Sequence, residues 1–347
     1  MTLKVNAILD QRLRPLSDLR ISVTDRCNFR CSYCMPRDIF GKGYKFLKQN
    51  QLLTFEEIQR LVAIFTEYGV SKIRLTGGEP LLRRDIEKLV QMLAKLEGIK
   101  DVAMTTNASL LTRERAQQLK NAGLDRLNIS LDALDRDIYQ KINEINVPLS
   151  DVLNGIEYAL EAGYNSVKVN MVVQRGVNHT DILPMVRHFR NTGVILRFIE
   201  FMDVGNHNDW SLGQVFTAAE IVAHINEEFA LEPVEANYHG EVAKRWRYSD
   251  GAGEIGVISS ISQPFCGGCA RARLSAVGEL FTCLFATTGF DLRSLLRAGH
   301  DDQVIANRIA EIWRQRDDQY SEVRSSEVGS VPGAGAKRKV EMSYIGG

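Results

Sequence analysis

Short hydrophobic runs alternate with longer amphipathic segments over the first two hundred residues of the chain. Six of the runs predict strands, at residues 20–24, 72–76, 101–106, 126–131, 166–174 and 195–201. Five segments between them have helical apolar spacing, at residues 54–68, 84–96, 112–122, 151–162 and 179–191. This alternation predicts parallel strands joined by right-handed crossovers, in either an open doubly wound sheet or a partial (β/α) barrel.

The pattern changes after Met202, where a polar, turn-rich segment begins. Beyond it we expect helices at 217–229, 291–298 and 302–316, strands at 242–248 and 254–259, and a hairpin of residues 274–276 with 279–283. Residues 328–339 are rich in Gly, Ser and basic side chains, which is typical of a flexible segment. The change divides the chain into predicted domains of residues 1–205 and 206–347.

The overall charge excludes one class of function. The chain has 43 basic and 43 acidic residues and a formal net charge of zero, which argues against binding nucleic acid or an acidic membrane through bulk charge. No apolar run reaches the roughly 18 residues that a membrane span requires. The N-terminal residues lack the apolar core of a signal peptide, so we expect a cytoplasmic protein.

The six cysteines fall into two groups of three, and the first group directly follows the first predicted strand. Cys27, Cys31 and Cys34 have the spacing C-x-x-x-C-x-x-C. A structural zinc site usually has four protein ligands, and only a distant His could complete one here. Three thiolates favour an iron–sulfur cluster that keeps one iron open to a further ligand.

The second group, Cys266, Cys269 and Cys283, also supplies three thiolates without a fourth. A zinc ribbon would need a second closely spaced pair, so an auxiliary cluster with its own open iron is consistent with this group. A non-enzymatic zinc protein remains the alternative from a different class. Anaerobic metal analysis separates the two, because two clusters require about eight irons with sulfide per chain, whereas the alternative requires zinc.

Cationic side chains recur on the predicted strands. Their spacing places Lys72 with Arg74, and Arg271 with Arg273, on one face of their strands. Buried cations are costly unless they have a partner, so they either face outward, pair with Glu200 and Asp132, or line a pocket for a polyanion. We favour the pocket for the whole set: Arg20, Arg74, Lys168, Arg197, Arg271 and Arg273.

Two motifs together identify a superfamily. The segment Cys27–Cys34, with Tyr33 before its last cysteine, resembles the signature of radical S-adenosylmethionine (SAM) enzymes, and Gly77-Gly78-Glu79-Pro80 resembles their SAM-binding segment. In that superfamily the open iron chelates SAM, and reductive cleavage yields a 5′-deoxyadenosyl radical. Residues 251–256 fit G-x-G-x-x-G but lead into a strand, so they lack the context of a dinucleotide site.

From about Leu19 to Gly347 the chain resembles the GTP 3′,8-cyclase family, which begins molybdenum cofactor (molybdopterin) biosynthesis. The resemblance includes residues 18–20, 198–206, 265–274 and 283–285 and the terminal Gly346-Gly347. It implies an α/β fold: a partial six-stranded, TIM-like (β/α) barrel of the radical SAM type. A C-terminal α+β segment with a second iron–sulfur cluster would close the barrel laterally.

The resemblance also implies roles for individual residues. Each cysteine group would hold one 4Fe–4S cluster, the first with SAM and the second with GTP. The positions that match SAM contacts are Tyr33, Gly78, Ser130 and Met202. Those that match GTP contacts are Arg20, Arg74, Thr105, Lys168, Arg271 and Arg273, with Lys72, Arg197, Gly346 and Gly347 as further candidates. No residue is assigned as catalytic acid or base, and Ala108 stands where the family usually has glycine.

The implied enzyme is a lyase that converts GTP to (8S)-3′,8-cyclo-7,8-dihydroguanosine 5′-triphosphate. It would need an external electron donor, would act before a downstream enzyme that processes the product, and would form a homodimer. The nearest alternative is a radical SAM enzyme of another specificity, such as a peptide modifier. Such an enzyme should carry more than three C-terminal cysteines.

Overall fold

All twelve strands belong to one sheet in the computed structural model, which describes residues 7–238, 240–327 and 338–346. Most of the predicted flexible segment, residues 328–337, lies outside the described residues. The strands are β1 Asp18–Ser22, β2 Lys72–Thr76, β3 Asp101–Thr106, β4 Arg126–Ser130, β5 Val167–Val173, β6 Ile195–Glu200, β7 Leu231–Val234, β8 Lys244–Tyr248, β9 Glu254–Ile258, β10 Arg271–Leu274, β11 Glu279–Phe281 and β12 Phe290–Asp291.

The six strands predicted in the first half are confirmed, and they lie side by side in chain order. Each pairs in parallel with the next, as right-handed crossovers require. Two C-terminal strands extend this parallel core: β10 pairs with β1 and β9 pairs with β6. The sheet order is β12-β11-β10-β1-β2-β3-β4-β5-β6-β9-β8-β7, so the C-terminal segment flanks the core on both sides.

Most of the helices pack against one face of the sheet, whereas the last one, Met342–Ile345, belongs to the C-terminal tail on the opposite face. The helices are α1 Phe55–Glu67, α2 Ile86–Ala94, α3 Arg113–Asn121, α4 Arg136–Asn143, α5 Leu149–Glu161, α6 Ile182–Phe189, α7 Ala218–Asn226, α8 Arg293–Arg297, α9 Asp302–Arg314, α10 Tyr320–Glu327 and α11 Met342–Ile345. A capping box begins α1: Thr54 Oγ1 accepts from the Glu57 amide at 3.1 Å, and the Glu57 carboxylate accepts from the Thr54 amide at 2.8 Å.

The strand residues alternate between two environments. In β1 and β2 the apolar residues Leu19, Ile21, Ile73 and Leu75 are fully buried in the hydrophobic core with residues of the helices. The residues between them form the opposite face, which lies inside the curve of the sheet. This period of two explains why the cations could be assigned to one face from the sequence.

The C-terminal segment closes the open side of the barrel. The Nζ of Lys72 in β2 lies 3.5 Å from the ring centre of Tyr238, in the connection between β7 and β8. In the same connection, a Cβ on Gly240 would lie 3.1 Å from the carbonyl oxygen of Gly268, beside the second cysteine group. The predicted lateral closure is thus provided by a loop rather than by pairing of the edge strands.

Several elements differ from the prediction. Helix α4 was not predicted, because it is only eight residues long and has only two buried apolar side chains, Tyr139 and Ile142. Strand β7 contains Pro233, which occurs in strands mainly at sheet edges, and β7 is an edge strand. The predicted hairpin is confirmed, but its first strand begins at Arg271. Within the described ranges, no helix combines the length and apolar character of a membrane span.

Ala108, the residue that departs from the family pattern, has a left-handed backbone with φ of +58°. A left-handed conformation costs a non-glycine residue roughly 1–2 kcal/mol, which explains why glycine is usual there. The conformation is supported by hydrogen bonds from the Ala108 amide to Thr106 Oγ1 at 3.0 Å and from the Leu111 amide to the Ala108 carbonyl at 2.9 Å. The loop is therefore formed despite the side chain.

Helix α5 packs directly on this loop through Gly155. A Cβ on Gly155 would lie 2.4 Å from the Ala108 carbonyl oxygen, and the backbone would have to move to remove this clash. We expect Gly155→Ala to lower the free energy of unfolding by about 2 kcal/mol, although alanine is the better helix former. The exposed neighbour in the same helix, Asn154→Ala, is the control and should be neutral or slightly stabilising. Urea unfolding followed by circular dichroism measures both, and a Gly155→Ala protein more stable than the parent would contradict the packing described.

Candidate active site

The first cysteine group lies on the loop that follows β1, and α4 holds this loop from outside. The amides of Arg30 and Ser32 donate to the carbonyls of Asn143 and Ile142 at 3.0 and 2.8 Å. The Cys31 thiol donates to Asn143 Oδ1 at 3.3 Å. The helix that the sequence did not predict is therefore a direct support of the cysteine loop.

The thiols of this loop suit a metal group rather than free thiolate chemistry. Burial, followed by the charge of Glu79, raises the pKa of Cys27 to about 12, and burial likewise raises the pKa of Cys31 and Cys34. They would ionise only with a positive group bound to them. Within the described ranges, no three His, Cys, Asp or Glu side chains form a site for a single metal ion. Three soft thiolate donors fit an iron–sulfur cluster, in which each thiolate binds a different iron.

The Gly77–Pro80 segment fits tightly beneath the same loop. A Cβ on Gly78 would lie 2.2 Å from the Arg26 carbonyl oxygen and 2.9 Å from the Cys27 nitrogen, and Gly77 has φ of +145°. The Gly78 amide donates to the Thr24 carbonyl at 2.8 Å. The glycine at 78 is thus required by the approach of two backbones, whatever contact it makes with SAM.

Glu79, in the same motif, joins this segment to the end of β3. Its buried carboxylate accepts from Thr106 Oγ1 at 2.6 Å, from the Asn107 amide at 2.8 Å and from the Leu81 amide at 3.0 Å. Asn107 Nδ2 in turn lies 3.9 Å from the Cys27 sulfur. The sequence motif included Glu79 but did not reveal this positioning role, which depends on a strand almost thirty residues away.

The other positions matched to SAM also lie at carboxyl ends of the strands. The Tyr33 hydroxyl donates to Asp132 at 2.8 Å, and the same carboxylate accepts from the Val172 amide at 2.8 Å. Burial raises the pKa of Asp132 to about 6. Ser130 ends β4 beside Asn170 of β5, and Met202 lies just beyond β6. The orientation of Tyr33 is therefore fixed by a buried carboxylate that lies just beyond the end of β4.

The second cysteine group lies at the opposite end of the neighbouring strand, because β10 pairs in parallel with β1 and Cys269 precedes β10 whereas Cys27 follows β1. Cys269 precedes β10 and Cys283 follows β11, so the hairpin brings them together. Arg271 Nη2 donates to the Cys269 sulfur at 3.4 Å. Burial acts to raise the pKa of Cys269, but the charges of Arg271 and Arg316 outweigh this effect and lower the pKa to about 6. Cys283 differs, because burial and the charge of Asp318 raise its pKa to about 11, so the positive environment favours the thiolate at Cys269 but not at Cys283.

The cations predicted to form a pocket lie on one face of adjacent strands. Arg20 of β1 is in register with Arg273 of β10 and with Arg74 of β2. Through Asn128 of β4, Lys168 of β5 is in register with Thr105 of β3. Arg197 of β6 pairs with Asn170 on the same face of β5. We call this surface the cationic face; it carries Arg20, Arg74, Lys168, Arg197, Arg271 and Arg273.

Most of these cations have no carboxylate partner in the described part of the chain. Arg197 is 3.9 Å from Glu241, and the other five form no ion pair with a described residue. Glu200 instead accepts from the amides of Ala218, Ile261 and Ser262. Asp18 shares the face but lies beyond ion-pair distance. The face therefore carries excess positive charge.

The excess positive charge destabilises the free protein, because the cations are largely removed from water. Burial and the charges of Arg74, Arg273 and Arg271 lower the pKa of Arg20, and burial with Arg197, Arg126 and Arg74 lowers the pKa of Lys168 to about 7. Several polar atoms on the face also have no hydrogen-bond partner among the described residues: Arg20 Nε, Arg74 Nε, Arg197 Nε, Thr105 Oγ1 and Asn170 Oδ1. Unpartnered donors and cations together fit a polyanionic ligand.

Arg126 differs from these cations because it has a carboxylate partner. It also lies on this face, in register with Ala103, but sequence reasoning did not single it out. Its Nε donates to Asp101 at 2.8 Å and its Nη2 to the same carboxylate, so its charge is already neutralised. No sequence signal separates Arg126 from the cations of the pocket, because its partner lies on a different strand.

The C-terminal tail reaches the cationic face. Arg273 donates to the carbonyl of Gly346. Gly346 has φ of +75°, and a Cβ on it would lie 2.3 Å from Thr76 Cγ2. Upstream, Lys339 Nζ bonds Asp203 at 2.7 Å and Asn206 Nδ2 bonds Glu341 at 2.7 Å. The tail is thus attached to the loop after β6, and Gly347 lies outside the described residues.

Comparison with known proteins agrees with this arrangement. Family models match the chain for "Radical SAM superfamily" over residues 21–189 and "Molybdenum Cofactor Synthesis C" over residues 194–322. A protein named GTP 3′,8-cyclase from Acidothermus cellulolyticus is 52% identical over 98% of this chain and 99% of its own length. A Staphylococcus carnosus protein of the same name is 46% identical over 99% and 100%.

The chain belongs to the GTP 3′,8-cyclase family. Membership of this radical SAM family brings 4Fe–4S clusters and SAM as cofactors. Among solved structures, Streptococcus suis SuiB bound to S-adenosylmethionine aligns with a TM-score of 0.59 and 15% identity, over 90% of this chain and 69% of that chain. SuiB bound to the precursor peptide SuiA gives 0.61 over 91% and 68%. At this identity the likeness supports the radical SAM fold alone. The domain boundary at residue 205 stays a prediction.

The contact beneath the cysteine loop leads to a test of the first cluster site. Gly78→Ala places a methyl group against the Arg26 carbonyl, so the loop carrying Cys27 must move. We expect the variant, after anaerobic reconstitution, to hold about four irons per chain instead of about eight. Gly43→Ala is the matched control, since nothing lies within 4 Å of its Cβ position. Full iron content in Gly78→Ala would show that the loop does not depend on this approach.

Proposed function

We propose that the enzyme binds GTP on the cationic face and converts it to (8S)-3′,8-cyclo-7,8-dihydroguanosine 5′-triphosphate, the first step of molybdenum cofactor biosynthesis. The observation that carries this proposal is the set of buried or half-buried cations on the cationic face, five of which form no ion pair with a described residue. One of them, Arg271, contacts Cys269 of the second cysteine group. A triphosphate supplies the charge that the described part of the chain lacks. The name of the relatives gives the substrate class, and the face gives the means of binding it.

The two cysteine groups would hold two different clusters. Cys27, Cys31 and Cys34 would hold the cluster that binds SAM, and Cys266, Cys269 and Cys283 the cluster that meets the guanine base. Both groups receive backbone hydrogen bonds at sulfur, from Phe29 to Cys27 at 3.3 Å and from Phe285 to Cys283 at 3.5 Å. When bound, the cluster and SAM supply the radical chemistry that joins ribose C3′ to guanine C8.

The protein's own contribution is to place the reacting groups and keep them dry. Arg20, Arg74 and Lys168 would fix the triphosphate, while Arg271 and Arg273 would hold it next to the second cluster. Tyr33, held by Asp132, would pack beside SAM with Gly78, Ser130 and Met202. Rigid placement of this kind lowers the barrier by replacing random encounter with an oriented complex.

The remaining partners follow from the family and are part of the proposal. The reductive step requires an external electron donor, and a downstream enzyme would process the cyclic product. A homodimer and a cytoplasmic location are likewise expected. The residues Lys72, Arg197, Gly346 and Gly347 would complete the pocket, Gly346 through its bond to Arg273.

The direct test is anaerobic incubation of the reconstituted enzyme with GTP, SAM and a reductant. Formation of 5′-deoxyadenosine together with a cyclised GTP product would support the proposal. Omission of GTP is the control, since SAM cleavage should then slow. A reconstituted enzyme that cleaves SAM but leaves GTP unchanged would contradict the proposed substrate.

The pairing of Arg126 provides a test of the cationic face. Arg74 has no carboxylate partner, whereas Arg126 on the next strand but one is neutralised by Asp101. We expect Arg74→Gln to weaken GTP binding at least about tenfold, because a charge-assisted hydrogen bond contributes about 1.5–3 kcal/mol. Arg126→Gln should weaken it much less. Equilibrium binding of GTP to both variants measures the two affinities. An equal loss of affinity would mean that an arginine's ion pair within the protein does not decide whether it binds GTP.

Because the pKa of Lys168 is lowered, the affinity for GTP should depend on pH. Burial and neighbouring cations hold this pKa near 7 in the free enzyme, and a bound triphosphate should raise it. Binding at pH 7–8 therefore takes up a proton, and the affinity for GTP should fall as the pH rises from about 7 to about 9. In Lys168→Arg, whose guanidinium stays charged, most of this decline should disappear. Titration calorimetry in two buffers of different ionisation enthalpy measures the proton uptake; equal uptake in both proteins would refute this origin.

A further inference from the structure

A buried group of three charged side chains lies behind the second cysteine group. The side chains of Asp10, Arg14 and Arg316 are 0%, 2% and 1% exposed. Asp10 Oδ2 accepts from Arg14 Nε at 2.6 Å and from Arg316 Nη1 at 2.9 Å. These residues come from opposite ends of the chain and belong to none of the sequence motifs.

The two guanidinium groups bind the backbone of every segment that carries a cysteine of the second group. Arg14 Nη1 donates to the carbonyl of Cys266 at 2.8 Å. Arg316 Nη1 donates to the carbonyl of Cys269 at 2.8 Å, and its Nε donates to the carbonyl of Thr282, the neighbour of Cys283, at 3.1 Å. One rigid unit thus connects three cysteine positions that the local sequence alone would leave independent.

The unit is itself held in place on several sides. Asp10 Oδ1 accepts from the Arg14 amide at 2.9 Å. Trp313 donates from Nε1 to the Arg14 carbonyl at 3.1 Å, and the Arg316 guanidinium lies 4.5 Å from the centre of the Trp313 ring. A planar guanidinium with fixed donor directions, packed on an aromatic ring, has little freedom to follow a moving loop. The cysteine loops must therefore conform to it.

The same unit affects the charge at the cysteines. Arg316 brings its positive charge next to this group, since its Nη1 lies 2.8 Å from the Cys269 carbonyl oxygen. Asp10 is shared by Arg14 and Arg316, so two guanidinium groups face one buried carboxylate and the three side chains keep a net charge of +1. Asp318, 3.3 Å from Arg316 Nε, has a side chain that is 32% exposed. Positive groups and hydrogen bonds near a cluster stabilise its more anionic, reduced form.

We propose that Asp10, Arg14 and Arg316 are positioning residues for the second cluster: they fix the three cysteine segments in one arrangement, and the charge of Arg316 favours the reduced cluster. This inference rests on the proposed function, because it requires that the second group holds a cluster. It adds residues outside the cysteine motifs that determine cluster retention and redox behaviour.

The test uses the full chain with Cys27, Cys31 and Cys34 replaced by Ser, so that only the second group can hold iron. In this parent, Arg316→Gln removes the charge and part of the donor set, whereas Arg316→Lys keeps the charge but loses the planar geometry. Arg14→Gln removes the bond to Cys266. Arg12→Ala is the matched control, because Arg12 lies in the same segment but pairs with Asp317 at the surface, with side chains 32% and 54% exposed.

Iron and sulfide content, the electron paramagnetic resonance spectrum of the reduced cluster and its midpoint potential are measured after anaerobic reconstitution. We expect Arg316→Gln and Arg14→Gln to lose at least half of the iron. In the cluster that Arg316→Gln retains, the reduced-to-oxidised ratio at a fixed potential should fall at least threefold. Arg316→Lys should lose iron but keep a potential close to that of the parent, and Arg12→Ala should match the parent throughout.

Two results would overturn the proposal, and they differ. If all variants keep the iron, spectrum and potential of the parent while only their melting temperatures fall, the three residues merely stabilise the fold. If the parent itself binds no iron, the second group is not a cluster site, and the assignment made under the proposed function fails as well. Circular dichroism of each variant verifies folding, and the conservative Arg316→Lys protein keeps the test decisive if Arg316→Gln does not fold.

Discussion

Buried positive charge that lacks a matching carboxylate is the constraint on which this molecule depends. Removing a cation from water costs several kcal/mol unless a partner replaces the lost hydration. On most of the sheet that requirement is met internally, as with Arg126 and Asp101. On the cationic face it is not met by the described residues, and the free protein therefore holds a destabilised arrangement that a bound polyanion would relieve. Such local cost is common at binding sites.

The rest of the architecture maintains that arrangement. Parallel pairing of β10, β1 and β2 places Arg273, Arg20 and Arg74 side by side, which their mutual repulsion would otherwise prevent. The apolar residues between them, such as Leu19 and Ile73, are buried in the core and supply the compensating free energy. The hydrophobic core and the charged pocket are thus two faces of the same strands, and neither could shift register without the other.

The cysteine loops depend on tertiary contacts of a different kind. The first loop is supported by backbone approach at Gly78 and by α4, while the second is connected through the carbonyls of Cys266, Cys269 and Thr282 to distant arginines. Both devices act mainly on the backbone of the ligand residues, although the Cys31 thiol also bonds Asn143 Oδ1. Fixing a ligand through its backbone orients it without occupying the group that binds the metal.

The amino-acid sequence was enough to predict the strand–helix alternation, the side of each strand on which a cation lies, and the two cysteine groups. These features follow from local periodicity and spacing, because a residue's face is set by neighbours two, three or four positions away. The folded structure was needed to show which cations lack partners, that α4 supports Cys31, and that Arg14 and Arg316 meet behind Cys266 and Cys269. Whether a buried charge is neutralised depends on strand register and on chain segments hundreds of residues apart, and local pattern carries no information about either.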